Sequence, residues 1–93
     1  MIKSFTDAET EHFYNTGKTK RFPPDILKRA IKRLTQLDAA TRLDDLRMPP
    51  LNRLETLTGA FSGKWSIRIN DQWRLCFRFK KGEAWDVEII DYH

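Results

Sequence analysis

The hydrophobic periodicity of this 93-residue chain changes once, at Pro50, and this change constrains the fold more than any other feature. Before Pro50, apolar residues recur at intervals of three and four, which is typical of helices; after it they alternate with polar residues, as in strands. Helices followed by strands with short connections predict an α+β fold, in which two N-terminal helices pack on one face of an antiparallel sheet. The length predicts one domain over residues 1–93.

Both predicted helices have recognisable start or stop signals. The first is expected over residues 7–16, because residues 6–9 match a capping box and Gly17 suits a helix end. The second opens at residues 23–25, where proline suits the first helical turn. A short strand is expected over residues 1–5. The apolar face of the second helix is Leu27, Ala30, Ile31, Leu34 and Leu37.

Four strands are predicted after Pro50, over residues 51–57, 65–69, 73–79 and 85–90. Apolar side chains alternate toward one face, which should pack on the helices. The tryptophans expected on that face, as core residues, are Trp65, Trp73 and Trp85. Cys76 has no cysteine partner in the chain and is interpreted as a packing residue.

Arginines occupy the other face of the predicted sheet. If a tight turn joins the second and third strands, Arg68 lies directly opposite Arg74, with Arg78 further along the same face. Like charges across strands are destabilising, so this pair indicates an anion such as phosphate between two guanidinium groups. The alternative is a solvated face on which the arginines pair with Asp86 and Glu88.

The charge of the chain indicates what kind of partner it can bind. The chain carries 17 basic and 13 acidic residues, a formal charge of +4, and its sharpest excess lies over residues 18–33. Such a cluster can follow the phosphates of a nucleic acid, or it can simply keep a helix face solvated. Its basic members are Lys18, Lys20, Arg21, Lys28, Arg29, Lys32 and Arg33.

Several classes of protein are disfavoured by composition. No apolar run approaches the roughly 20 residues of a membrane-spanning helix, and residues 1–7 do not look like a secretory signal. One cysteine and two histidines disfavour an internal disulfide, a cysteine-rich zinc site and a histidine-built metal site. A cytoplasmic protein without a cofactor is therefore expected.

The sequence ends in Asp91-Tyr92-His93, and two of these side chains suit RNA chemistry. Histidine has an unperturbed pKa near 6.5, which allows proton transfer at neutral pH. A tyrosine ring offers a surface on which a base can stack. Taken with the arginines on neighbouring strands, this tripeptide is a candidate catalytic element.

Five segments together resemble one known family. They are residues 65–77, which contain Trp73-Arg74, the terminal residues 87–93, the opening residues 1–5, and the short stretches 16–18 and 57–59. The chain resembles HigB-type toxins of bacterial toxin–antitoxin pairs, also called plasmid maintenance killer proteins, which belong to the RelE superfamily. The likeness covers the whole chain.

The resemblance implies a microbial-RNase-like fold with two helices against a curved antiparallel sheet. It implies a ribosome-dependent endonuclease that cleaves mRNA in the A site of the 70S ribosome, without a metal. It also implies a HigA-type helix-turn-helix antitoxin, which binds the toxin and represses the shared operon by binding operator DNA.

By position, the resemblance assigns roles to five residues. Arg74 matches an arginine expected to hold the scissile phosphate, and Arg68 lies in the strand that supplies another basic contact. The terminal Asp91, Tyr92 and His93 match an acidic residue, a base-stacking tyrosine and a histidine. Arg78 and the basic residues of 18–33 are then candidates for binding RNA and the ribosome.

The chain departs from the pattern of some relatives at two positions. Thr58 stands where those relatives have lysine, and Glu55 stands where they have histidine. The identity of the general base is thereby left open between Asp91 and Glu55. A non-catalytic RNA- or ribosome-binding module is the alternative function, and the threonine favours it slightly.

Overall fold

The computed structural model describes residues 1–59 and 63–92, and it confirms the α+β fold with two helices and an antiparallel sheet. The helices are α1 (Ala8–Thr16) and α2 (Leu27–Ala39). The strands are β1 (Glu55–Thr56), β2 (Trp65–Arg68), β3 (Trp73–Lys80) and β4 (Glu83–Asp91). Short 3₁₀ turns occupy Pro24–Ile26, Leu43–Arg47 and Pro50–Asn52.

The sheet follows chain order, β1-β2-β3-β4, with every neighbouring pair antiparallel. The N-terminal segment runs parallel to β4 but forms only isolated bridges, from Ile2 to Ala84 and from Phe5 to Val87. Residues 1–5, expected to form a strand, therefore form only two single bridges, which attach the start of the chain to the outer edge of β4.

The core lies between the sheet and the two helices. Helix α1 packs on β4, and α2 packs on β3 and β4. The helix face predicted from periodicity is confirmed, since Ala30, Leu34 and Leu37 are buried and the other two members are partly buried. The sheet contributes Ile67, Leu75, Phe77, Val87 and Ile89. The opposite face of the sheet is thus left for polar chemistry.

Helix α1 begins and ends close to the predicted residues, but its cap differs. The Asp7 carboxylate accepts hydrogen bonds from the backbone N–H groups of Glu9 and Thr10, at 3.4 and 3.2 Å. The expected Thr6–Glu9 capping box is therefore wrong, because the carboxylate one residue later caps the same free donors. Gly17 ends the helix at φ 75°, as expected.

The first strand is much shorter than predicted. Residues 50–52 form a 3₁₀ turn that begins at proline, and Arg53 adopts a left-handed φ of 47°. Only Glu55 and Thr56 pair with β2. The strand expected over residues 51–57 is thus wrong in its first half, because the turn prevents pairing until residue 55.

A bulge in β4 corrects the prediction for Trp85. Arg78 pairs with Trp85 while Cys76 pairs with Glu88, so β4 holds one extra residue, and Asp86 has a left-handed φ of 53°. Trp85 therefore faces away from Val87 and is 37% exposed rather than in the core. Trp65 and Trp73 pack against the core as expected.

Among the described residues, no helix combines the length and apolarity that crossing a membrane requires. The longest, α2, has 13 residues.

Candidate active site

A row of side chains crosses the sheet on the face away from the helices. Glu55 pairs with Ser66, Ser66 with Cys76, and Cys76 with Glu88, so these four residues lie side by side across all four strands. Ser66 and Cys76 are fully buried, whereas the carboxylates stand at the two ends. The row forms the floor of the candidate site.

Arg74 lies over this row and is held from three sides. Its guanidinium donates to Ser66 Oγ at 3.1 Å and to Glu55 Oε1 at 3.3 Å. Its Cζ atom lies 5.7 Å from the centre of the Tyr92 ring, within the range of a cation–π contact. The Arg74 side chain is only 15% exposed. A cation so constrained is preorganised to receive an anion.

Arg68 lies directly opposite Arg74, which confirms the predicted register. The like-charge cost is offset because each arginine has its own carboxylate: Arg68 pairs with Asp71, and Arg74 with Glu55. The hydrogen bond from Arg68, followed by its charge, lowers the pKa of the Asp71 carboxyl. Asp71 is fully exposed, so its side chain can swing away when a stronger anion approaches.

The alternative pairing of the arginines with Asp86 and Glu88 holds for one of them. Arg78 Nε lies 3.3 Å from Asp86 Oδ2, and Arg78 also donates to the Gly63 carbonyl at 3.2 Å. Glu88 instead accepts from a lysine. Arg68 and Arg74 therefore pair with other carboxylates. Of these three arginines, only Arg78 pairs with a carboxylate that this alternative predicted.

Lys64 is the residue of this face that the sequence analysis missed. It is 7% exposed, and its Nζ atom donates to Glu88 Oε1 at 3.2 Å and to the Asp86 carbonyl at 3.0 Å. The signal was present, since Lys64 lies two and four residues before Ser66 and Arg68 and so shares their face. Its position before the first residue of β2, directly after Gly63, concealed it.

Tyr92 approaches Arg74 through the β3–β4 pairing, whereas Asp91 pairs with Trp73 and so lies on the helix side of the sheet. The Tyr92 N–H donates to the Gln72 carbonyl at 2.7 Å, and the Asp91 carboxylate accepts from Gln72 Nε2 at 3.0 Å. Tyr92 is half-buried with its ring against Arg74, and its predicted role in stacking remains a prediction. His93 lies outside the described residues, so its predicted role remains a prediction.

The basic residues of 18–33 divide into three groups. Arg33 joins the site, because its Nε donates to the Arg68 carbonyl at 3.0 Å. Burial, then the nearby charges of Arg29 and Arg68, lower the pKa of Arg33. Arg21 instead pairs with Asp7 and lies 4.8 Å over the Phe22 ring, so it supports α1. The exposed members without a carboxylate partner among the described residues are Lys18, Lys20, Lys28, Arg29 and Lys32.

Among the described residues, few groups around Arg74 could move protons. Burial, then the charge of Glu88, raises the pKa of Cys76 to about 12, so this thiol stays protonated and inert. Glu55 is half exposed beside the Arg74 guanidinium. Within residues 1–59 and 63–92, no three His, Cys, Asp or Glu side chains are grouped as a metal site would require. The arrangement can bind a phosphate between guanidiniums and present a carboxylate beside it.

A family model covers residues 3–93 and is described as the RelE-like toxin of the type II toxin–antitoxin system HigB. The chain is 42% identical over 85 residues to Toxin HigB-1 of Vibrio cholerae serotype O1, covering 90% of each chain. It is 33% identical over 93 residues to Endoribonuclease HigB of Proteus vulgaris, covering all of both.

Solved structures share the fold at much lower identity. A YafQ mutant from Escherichia coli superposes with a TM-score of 0.63 at 10% identity, covering 98% of this chain and 93% of that one. The heterotetrameric YoeB–YefM toxin–antitoxin complex of Staphylococcus aureus gives a TM-score of 0.58 at 15% identity, covering 100% and 98%. At such identities the likeness concerns the fold alone.

Proposed function

The chain belongs to the HigB-like family of RelE-like toxins of type II toxin–antitoxin systems, and from this premise we propose that it is an endoribonuclease that cleaves mRNA on the translating ribosome. The observation that carries the proposal is the geometry of Arg74, a nearly buried guanidinium held beside a carboxylate and under a tyrosine ring. The relative named as an endoribonuclease supports the reaction class.

Arg74 is assigned to the phosphate that is cut. The substrate's 2′-oxygen attacks the adjacent phosphorus, the bond to the 5′-oxygen breaks, and a 2′,3′-cyclic phosphate and a 5′-hydroxyl result. Negative charge accumulates on the non-bridging oxygens in the transition state. Arg74 and Arg68 are placed on one face to receive that charge, and such preorganised donors are often the largest single contribution to catalysis.

Two protons must move in this reaction. The 2′-hydroxyl proton goes to a base, for which Glu55 beside Arg74 is the better placed of the two candidates, because Asp91 pairs with Trp73 on the helix side of the sheet. A proton reaches the 5′-oxygen from an acid, assigned to His93. A carboxylate is a weaker proton acceptor than a histidine at neutral pH, and Glu55 is also engaged in an ion pair with Arg74 at 3.3 Å.

An enzyme with only weak acid and base groups can still cleave its substrate efficiently when another particle, such as the ribosome, aligns that substrate. Alignment alone can contribute about 7–11 kcal/mol to lowering a barrier. We therefore propose that the ribosomal A site positions the mRNA and that Tyr92 stacks on a base next to the cut. The exposed basic residues of 18–33 and Arg78 would contact RNA of the 70S ribosome or the mRNA.

An antitoxin is the partner that membership in this family implies. We propose that it is of the HigA type, with a helix-turn-helix domain through which the toxin–antitoxin complex binds operator DNA. Action on translating ribosomes places the toxin in the cytoplasm. The YoeB–YefM structures, which contain toxins of the same fold bound to antitoxins, support the general arrangement.

Primer extension on a defined mRNA in a purified translation system tests the function. We expect wild-type protein to produce cuts only when ribosomes are present, and Arg74→Ala to reduce the rate by about 10²–10³, as removal of one transition-state donor does. Arg47→Ala is the matched control, because Arg47 is an exposed arginine that pairs with Asp44 at 2.9 Å and lies in a 3₁₀ turn outside the sheet.

The binding-module alternative predicts different results from the same assay. A binder would stall or shift the RNA without creating new ends, and its effect would weaken with salt. Cyclic phosphate ends in the wild-type reaction would exclude it. Full cleavage by folded Arg74→Ala would instead remove Arg74 from the mechanism.

A further inference from the structure

A cleft of about 320 Å³ lies beside the turn of the β3–β4 hairpin, outside the site described above. Its most exposed apolar surface is the indole of Trp85, which is 37% exposed and does not belong to the core. An indole left open beside charged groups is a surface suited to stacking. The lining residues are Arg78, Lys80, Lys81, Glu83, Trp85 and Asp86.

The charges of this cleft leave two cations uncompensated. Glu83 pairs with Lys3 at 3.2 Å, and Asp86 pairs with Arg78 at 3.3 Å, so both carboxylates are already neutralised. Lys80 and Lys81 are exposed and have no carboxylate partner within the described part of the chain. The cleft therefore presents positive charge beside an aromatic face.

The cleft and Arg74 share one face of the sheet. Arg74 and Arg78 are four residues apart on β3, with Leu75 and Phe77 between them buried on the helix side, and Trp85 pairs directly with Arg78. Four residues of strand span about 13 Å. A short extended oligonucleotide is therefore long enough to reach from one place to the other on this face of the sheet.

We propose that this Trp85 cleft is a second RNA subsite, where an unpaired base of the strand held at Arg74 stacks on the indole and a neighbouring phosphate lies against Lys80 and Lys81. The inference rests on the proposed function only in taking RNA as the substrate. Stacking platforms with flanking cations are the general solution for binding single-stranded RNA.

RNA fits this cleft better than an acidic protein segment does. A peptide carboxylate could neutralise the two lysines, but it would leave the flat indole face without a matching surface. The shared face and the distance of about 13 Å from Arg74 also favour a ligand that carries a phosphate at each nucleotide. We therefore assign the cleft to RNA, and the experiment also tests whether it binds the antitoxin instead.

The experiment measures binding of the free protein to a fluorescently labelled 2′-O-methyl oligoribonucleotide by anisotropy at low salt. This probe has no 2′-hydroxyl and cannot be cut. We expect Trp85→Ala to weaken binding about tenfold and Trp85→Phe, which keeps an aromatic face, to retain most of the affinity. Leu51→Ala is the matched control, because Leu51 is an exposed apolar residue outside this face.

Abasic substitutions locate the stacked base. One position of the oligonucleotide, when it lacks its base, should weaken binding to wild type but not to Trp85→Ala. Equal affinity of wild type and Trp85→Ala would overturn the subsite, as would absence of binding by wild type. Loss of antitoxin binding by Trp85→Ala with unchanged RNA affinity would also overturn it, in favour of a protein contact.

The same variants in the ribosome assay separate this inference from the proposed function. Normal cleavage by wild type with no dependence of RNA binding on Trp85 would refute the subsite and leave the nuclease intact. Binding that depends on Trp85, in a protein that never cuts mRNA, would refute the nuclease and leave the subsite.

Discussion

Arg74 shows how much a single side chain depends on residues distant in sequence. Its hydrogen-bond partners, Ser66 and Glu55, lie 8 and 19 positions away, and Tyr92 directly follows the end of β4. The identity of Arg74 as a phosphate ligand could be suggested from the sequence. Its orientation could not, because three separate strands determine it.

Asp7 provides a prediction at the same scale. Burial alone would raise the pKa of this carboxyl, but hydrogen bonds from Arg21 and Thr10 outweigh it and lower the pKa. The stabilisation is therefore present above pH 4 and lost as pH falls through the depressed pKa. We expect Asp7→Ala to cost about 1 kcal/mol at pH 7, with a smaller difference from wild type in acid.

Urea unfolding of wild type and Asp7→Ala at pH 7 and at pH 3 checks this prediction. Asp7→Asn is the control, since asparagine keeps the cap acceptor and removes the charge. A cost of Asp7→Ala that did not change with pH would show that the ionised carboxylate contributes nothing beyond capping.

At the scale of elements, the sheet is held together across its polar face by paired charges. Lys64, directly before β2, reaches across β3 to Glu88 on β4, and Arg74 on β3 reaches Glu55 on β1. The bulge at Asp86 then turns Trp85 onto this same face. Strand pairing thus determines both the candidate active site and the proposed subsite.

The Lys64–Glu88 pair gives an element-scale prediction. Its side chains are 9% and 17% exposed, so removal of the lysine leaves a nearly buried carboxylate without a partner. We expect Lys64→Met to destabilise the protein by roughly 3 kcal/mol. The double variant Lys64→Met/Glu88→Leu should recover most of this loss, because no charge is then left unpaired.

Thermal and urea unfolding of the two single variants and the double variant form a complete cycle. Additive losses in the double variant would contradict a direct interaction between the two side chains. Such a result would assign the stability of this face to the backbone pairing alone.

At the scale of the whole molecule, the formal charge of +4 is distributed unevenly. Arg33 connects the exposed cations of α2 with Arg68 at the edge of the site. On the other side of Arg74, Lys80 and Lys81 extend the positive charge along the sheet. A polyanion can therefore contact cations on both sides of the phosphate site.

The exposed cations of α2 make the third prediction. Lys32→Gln should weaken binding to ribosomes or to RNA of any sequence. Because one phosphate contact is lost, the slope of the logarithm of the binding constant against the logarithm of the salt concentration should decrease in magnitude by about 1. Arg47→Gln is the control, since Arg47 is exposed but pairs with Asp44 at 2.9 Å. An unchanged slope for Lys32→Gln would exclude this lysine from the interface.

Periodicity and local chemistry were sufficient to predict the order of the elements, the buried face of α2 and the opposition of Arg68 to Arg74. These are short-range properties, because alternation and turn length determine them within a few residues. The length of β1 was wrong because a 3₁₀ turn occupies residues 50–52, and the cap of α1 was wrong because Asp7 rather than Thr6 accepts from the free backbone groups.

Periodicity, spacing and motifs were therefore enough to predict the fold class, the family resemblance and the residue types available for RNA chemistry. The burial of Lys64 against Glu88, the position of Arg74 between Glu55 and Tyr92, and the outward direction of Trp85 could not be predicted in this way. Each of these depends on pairing between strands, and one bulge residue is enough to move a side chain to the opposite face of a sheet.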